Sequence, residues 1–455
     1  MIIHDLIQKN LKCDRKESEY VFFSFAFFFC VMAAYYILQP LRDENGVLLG
    51  NTSSLFRWTM VAVLAVNPLF SMLMARIPRQ SLVPVIYRFF ISHLFIFVAA
   101  FHILKVGGST ELVGNARLAP SIFFVWVSVF NLFAVSLFWS VMADRFTGSQ
   151  GRKFFGFIGA GGTAGQFAGS AMATFLVPYL GATNLMLVSA VLLELAVRSR
   201  PSIDDVVLEQ QQADSAAAGG SNRQKPKPWT GMWLVMKSAY LFGICSYLFL
   251  YTFTSSFIYL QKQDMVGDAF ATREARVQFF AAMNFLTSGG TLLIQLFLTG
   301  RVITAMGLIF SLSLVPGMTA FGFIALATRP GLVLLSLFDA TRKTLNYAIA
   351  RPSREILFTV VSKEDKYISK NFIDTFVYRA GDSLASFAFD GLKSYNLGTT
   401  GISWAAVPFS ILWTGVAAGL GMAQRKKQEA QESALAKVAD APPPGDIGPT
   451  PAAES

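Results

Sequence analysis

Charge is scarce in this chain: Asp, Glu, Lys and Arg make up 15% of 455 residues, against 53% hydrophobic. That balance excludes a water-soluble domain of this size. Histidine and cysteine are scarcer, three of each. Cys13, Cys30 and Cys245 lie far apart, and His4, His93 and His102 form no ligand-spaced set, so neither a disulfide framework nor a metal centre is expected. H-E-x-x-H, G-x-S-x-G, a Walker lysine loop and paired D-x-x-D motifs are all missing, which argues against an enzyme, a bound cofactor or ATP hydrolysis.

What the chain has in quantity is apolar runs. A helical span needs about 20 such residues to cross about 30 Å of hydrocarbon. The runs place spans at 20–41, 54–75, 82–104, 119–143, 154–178 and 181–197, then at 233–260, 277–299, 302–327, 331–361, 371–392 and 400–423. The first is too long, and lacks the cleavage site, for a signal peptide. The net charge of +10 sorts by membrane side rather than pointing to nucleic acid. Arg76, Arg79, Arg145, Arg152, Lys153, Arg198 and Arg200 crowd alternate loops, while the others hold fewer basic residues, among them Lys105, Arg117, Lys262, Arg273 and Arg276. This bias predicts a multi-pass membrane protein with both termini in the cytoplasm.

Between the sixth and seventh spans, "RSRPSIDDVVLEQQQADSAAAGGSNRQKPKPW" reads as a flexible linker. The expected division is a cytoplasmic leader 1–19, a six-helix half 20–197, a linker 198–232, a second six-helix half 233–423 and a disordered cytoplasmic tail 424–455. A basic loop enters a glycine-bearing helix at matching places in both halves, "DRFTGSQGRKFFGFIGAGG" and "SKEDKYISKNFIDTFVYRAGD". The expected fold class is therefore all-α integral membrane, twelve helices in two halves, of the major facilitator type.

Charges inside spans are the best functional markers, since each costs about 2.5 to 3.5 kcal/mol at a helix centre. The tenth span holds most: Asp339, Arg342, Lys343, Arg351, Arg354 and Glu355. Asp339, Lys343, Asn346, Ala350 and Arg354 recur at helical spacing on one face, which should line water or meet partners. Pro352 should kink that helix. The eleventh span places Asp374, Tyr378 and Asp382 on one face, with Arg379 able to pair with Asp382; that pair either lines a cavity or only holds helices together. Arg88 and Glu194 are isolated intramembrane charges, Arg88 a cavity residue or one whose head snorkels to an interface. Asp144 and Arg145 close the fourth span as an interfacial latch. "GFIGAGGTAGQFAG" contains G-x-G-x-x-A, but no strand precedes it, and Gly161, Gly165 and Gly169 repeat every four residues, the small-residue pattern of packed membrane helices.

"YYILQPLRDENGV" and "LFWSVMADRFTGSQGRKFFGFIGAGG", with "LNYAIARPSREILFTVVSKEDKYISKNFIDTFVYRAGDSLAS" near the C-terminus, resemble the non-mitochondrial ATP/ADP translocases of plastids and intracellular bacteria, a branch of the major facilitator superfamily. The resemblance implies nucleotide exchange across a membrane, by a bacterial relative placed in the cell's inner membrane. It matches Arg42 and Asp43 to the family's first-span R-D, Arg354 and Glu355 to its K-E, and Lys370, Asp374 and Arg379 to its eleventh-span residues. Asn45 and Gly46 stand where the family has lysine and aspartate, and Asp382 where it has lysine, so two phosphate-holding cations are replaced and a diverged substrate is implied.

The reading is a secondary active transporter working by alternating access, acting as a monomer without a cofactor, with a small organic anion, a nucleotide or another phosphorylated or carboxylated solute, as partner. Arg42, Arg88, Arg342, Lys343, Asn346, Arg354 and Arg379 are expected to hold the solute. Asp43, Glu44, Asp144, Arg145, Asp339, Glu355, Asp374 and Asp382 are expected to gate or couple. The alternative is a non-transporting receptor or scaffold.

Overall fold

The structure is a computed structural model that describes residues 14–107, 114–146, 148–199, 230–362, 365, 369–370 and 372–439. The described residues are helical with no strand. The first set of helices is α1 (Arg15–Leu49), α2 (Thr52–Arg76), α3 (Arg79–Ile103), α4 (Leu118–Arg145), α5 (Gly148–Leu180) and α6 (Leu185–Arg198). Then follow α7 (Thr230–Lys237), α8 (Ala239–Ala269), α9 (Arg273–Phe297), α10 (Thr299–Thr328), α11 (Leu332–Leu345), α12 (Arg351–Leu357), α13 (Tyr378–Ser394) and α14 (Thr399–Ala439). Most of the linker, with the leader to residue 13 and the tail from residue 440, lies outside the described residues.

Among the described residues the twelve apolar runs fall on helical segments, and eight helices are long and apolar enough to cross a membrane: α1 to α4, α8 to α10 and α14. This is a multi-pass membrane protein. The others fall short for separate reasons. Glycine, serine and threonine dilute α5, α6 has 14 residues, a π turn at Asn346–Ala350 breaks α11 from α12, and α13 has 17 residues behind a second π turn at Ile373–Val377. The seventh run is divided, since Ser238 leaves the helical region and caps α8 through the Leu241 amide, setting α7 apart.

Two helices run well past the expected ends. Asp14 caps α1 by accepting from the Glu17 amide at 2.6 Å, and α1 passes through Pro40 to stop only at Gly50, whose φ of 62° closes it. Arg42, Asp43 and Glu44 therefore sit inside a helix rather than beyond one. The tail expected to be disordered from Gln424 is helical to Ala439. Its Gln, Glu, Lys and Ala content favours helix, and Arg425 pairs with Glu429 at 2.9 Å, one turn on.

Buried side chains gather in separate clusters, one between Val21 and Val197 with Val277 and Ala281 of α9, two drawn from Val235 to Leu420, and a small one of Leu49, Leu55 and Phe124. In the first, α5 lies against α1. A Cβ added to Gly161, Gly165 or Gly169 would strike the carbonyl oxygens of Phe25, Phe29 and Ala33, so the backbones meet where only glycine fits.

Candidate solute site and seal

The end of α1 is tied across to the second set of helices by charges. Arg42 Nη2 lies 2.8 Å from Asp43 Oδ1, and the Tyr259 hydroxyl on α8 donates to the same oxygen at 2.8 Å. The Arg42 guanidinium also lies 5.2 Å from the centre of the Phe124 ring, on α4. Glu44, fully buried, receives Arg273 Nε at 2.9 Å and Arg276 Nη2 at 3.3 Å, both from the start of α9. Arg273 donates in turn to Val106 O and Thr183 Oγ1, which ties α9 to two loops of the first set. At the same end Arg57 on α2 pairs with Asp390 on α13 at 2.7 Å.

Polar cavities lie on either side of this layer. One, of about 590 Å³, is lined on α1 by residues from Phe28 to Gln39, with Asn131 on α4, Gln166 on α5, Gln295 on α9, and Tyr347 and Arg351 around the π turn. The other, of about 500 Å³, begins on α1 at Gly46 and takes in Gln261, Gln263, Asp264, Asp390 and Lys393. Arg42, Asp43, Glu44 and Asn45 line neither, so the ion-paired layer is the partition between them. Both cavities are bounded by helices of both sets.

The π turn beside Arg351 is held by side chains that satisfy groups a break would expose. Asn346 Nδ2 donates to the Tyr251 hydroxyl at 2.9 Å, Thr299 to Ala348 O at 2.8 Å and Gln295 to Tyr347 O at 3.3 Å. Gln166 donates to the Tyr36 hydroxyl across the cavity wall.

Close to the partition, Asp339 is shared by three cations. Lys262 Nζ is 2.6 Å away, Lys343 Nζ 3.0 Å, and Arg342 Nη2 4.0 Å. Lys262 and Arg342 are 3% and 1% exposed, while the Lys343 side chain keeps 26% of its surface open. Arg342 Nε and Nη1 have no hydrogen-bond partner, and its charge rests on the Tyr251 ring at 5.4 Å. One carboxylate cannot neutralise three cations, so the cluster holds a positive surplus in a setting where desolvation is costly.

The remaining expected residues spread outward. Arg379 lies 3.8 Å from Asp382, which accepts from Ser256 at 2.9 Å. Glu355 pairs with Lys370 at 2.7 Å, and Arg354 is half-buried one turn past the π turn. The Asp374 side chain lies outside those described. Asp144 and Arg145 end α4, both half-buried and both with partners. Arg88 and Glu194 are not isolated. They pair at 3.0 Å between α3 and α6, with Arg198 also on Glu194. The Arg88 side chain is 59% exposed there and lines neither polar cavity, because its charge is met at the outer surface of the first set.

Sequence reasoning placed Lys262, Arg273 and Arg276 in loops. The available signal was the spacing of Ser256, Tyr259, Lys262 and Gln263, which continues one helical face past the assumed end at residue 260. Arg351 was seen, but as one charge among several in its span.

No family model matches the sequence, and no curated protein matches it. Solved structures do. A bacterial homologue of the iron transporter ferroportin in an inward-facing state superposes with a TM-score of 0.60 at 11% identity, over 90% of this chain and 98% of that one. An auto-inhibited POT family peptide transporter gives 0.57 at 12% identity, over 89% and 96%. The nucleoside transporter NupG gives 0.52 at 14% identity, over 90% and 99%. At such identities the likeness speaks for architecture alone, and the architecture of this chain is the all-helical membrane fold of the major facilitator type.

Proposed function

We propose that the protein is a secondary active transporter that moves an organic anion by alternating access, with twelve spans in two six-helix halves, 20–197 and 233–423, and both termini in the cytoplasm of a bacterium. The observation that carries this reading is the pair of polar cavities divided by one ion-paired layer. A solute in the cavity beside Arg351 reaches the other cavity only if that layer parts, and its Tyr259–Asp43, Arg273–Glu44 and Arg276–Glu44 contacts join the two halves. In this conformation Arg42, Asp43, Tyr259, Glu44, Arg273 and Arg276 form the closed gate, and Arg57 with Asp390 supports it.

The preference for an anion rests on charge. Among the described residues Arg351 is the one ionisable cation lining the 590 Å³ cavity, and the Asp339 cluster beyond it carries surplus positive charge, with Lys343 its most open member. Guanidinium and ammonium groups match carboxylate or phosphate oxygens. Nucleotides enter as candidates through the sequence resemblance, with Asn45 buried and without a hydrogen-bond partner where a translocase would carry lysine.

The test is a thermal-shift panel of nucleotides, sugar phosphates and carboxylates on purified protein, followed by counterflow in proteoliposomes for each compound that stabilises it. At least one anion should both raise the melting temperature and be accumulated. If none does either, the proposal fails.

A further inference from the structure

A larger cavity lies away from these charges. Between α2, α3 and α4 runs a groove of about 1050 Å³, lined by Ala62, Val66, Phe90, Val125, Trp126 and Val129 among other apolar side chains, with His93 and Ser121 its polar members. Both of these are bonded within their own helices, His93 Nδ1 to Phe89 O and Ser121 to Arg117 O. Water entering the groove would find almost nothing to bond.

The groove exists because α2 leans the other way. Its opposite face is held to α13 by the Arg57–Asp390 pair, by Arg57 resting 4.7 Å from the Phe387 ring centre, and by Ser383 donating to Met60 Sδ at 2.9 Å. On the groove side Phe70 stacks on Phe133 of α4, with ring centres 3.9 Å apart, and α3 stays clear. All three walls are helices long and apolar enough to cross a membrane, so the groove opens on hydrocarbon. From Leu55 to Leu73 it runs along α2 for about 27 Å, close to the roughly 30 Å of a bilayer core. Its rim is exposed and apolar, with Trp58, Leu69, Val85 and Phe89 each about half exposed or more. Arg76, exposed one turn beyond Leu73, puts a cation where a headgroup would lie.

We infer that this groove is a binding site for a bilayer phospholipid, whose acyl chain seats against α4 and fills the space between α2 and α3. The occupant is distinct from the transported solute, and the inference holds whatever that solute proves to be.

The test places the full chain in nanodiscs containing a phospholipid with a photoactivatable diazirine in mid-chain, and maps adducts by peptide mass spectrometry. Val125 and Val129, at the floor of the groove, should be labelled alongside Phe321 and Ile411, which face outward elsewhere at 73% and 58% exposure. Ala62→Phe fills the groove and should lower floor labelling several-fold while leaving Phe321 and Ile411 unchanged. Val66→Phe, one turn on, serves the same purpose if Ala62→Phe does not fold. An unlabelled floor in the wild-type protein, or floor labelling that survives the filling substitution, overturns the inference.

Discussion

Asp339→Asn should be among the most damaging single changes in the protein, for a reason that ranks it against its own neighbours. The carboxylate faces Lys262, Lys343 and Arg342, and both Lys262 and Arg342 are almost wholly buried. Asparagine keeps the shape and can still accept a hydrogen bond, but it leaves all three cations without a counter-charge. Breaking a buried pair in this way costs about 3 to 5 kcal/mol. Lys262→Gln removes one cation and leaves Asp339 still paired with Lys343 at 3.0 Å, so the cluster loses a hydrogen bond but becomes less positive. Its cost should be about 1 kcal/mol, the usual worth of a hydrogen bond. The double variant leaves Lys343 and Arg342 unneutralised and should fall between the two. Thermal unfolding in detergent, followed by tryptophan fluorescence, gives the order without an absolute free energy. Added sulfate should restore Asp339→Asn more than wild type, because the stranded cations would take the anion. If Lys262→Gln lowers the midpoint more than Asp339→Asn, the charge reasoning is wrong.

Further outcomes follow from the same geometry. Glu44→Gln strands Arg273 and Arg276 and should loosen the partition. A cysteine at Val47, in a background without Cys13, Cys30 and Cys245, should then react several-fold faster with a membrane-impermeant thiol reagent. Arg351→Gln should abolish the melting shift given by any anion that stabilises the wild-type protein, whereas Arg88→Gln, already paired at the outer surface, should leave it intact. Gly165→Leu sets a side chain against the backbone of Phe29 and should prevent stable folding, while Gly156→Leu, with nothing within 4 Å of its Cβ position, should be tolerated; expression and gel-filtration profiles separate them.

The sequence revealed the helical segments because a period of apolar residues is a local property; the twelve runs fall on helical segments, and eight helices among the described residues are long and apolar enough to cross a membrane. It revealed much less about where helices end. Charges at Arg42 and Lys262 resemble interface residues when neighbours in space are unknown, and only tertiary contact shows that Asp43 is met by Tyr259 and Lys262 by Asp339. The spacing of Asp339 and Lys343 was readable as one face, and they do meet. That the same carboxylate also serves Lys262, 77 positions away, was not, since nothing in linear order joins them. Arg88 and Glu194 make the same point: each is an intramembrane charge that needs a partner, and their pairing shows only when α3 and α6 are placed side by side.

On the transport proposal, the charges also bear on whether the carrier exchanges or leaks. Returning without solute requires the end near Arg351 to close, and Arg351 is exposed while Lys343 keeps part of its surface open. Closing over them strips water from cationic groups, of which Lys343 has a carboxylate, Asp339, already shared with Lys262 and Arg342, and desolvating an unpaired ion costs several kcal/mol. A bound anion supplies the missing counter-charge and removes that cost. If the difference is about 3 kcal/mol, reorientation of the loaded form is faster by a factor of about a hundred. Liposomes preloaded with labelled anion should therefore release it about a hundredfold faster into buffer containing the same anion than into buffer without it. Arg351→Gln, with less charge to cover, should narrow that ratio even as it weakens binding. Equal release with and without external anion would mean that the empty carrier crosses freely and that the surplus charge plays no part in coupling.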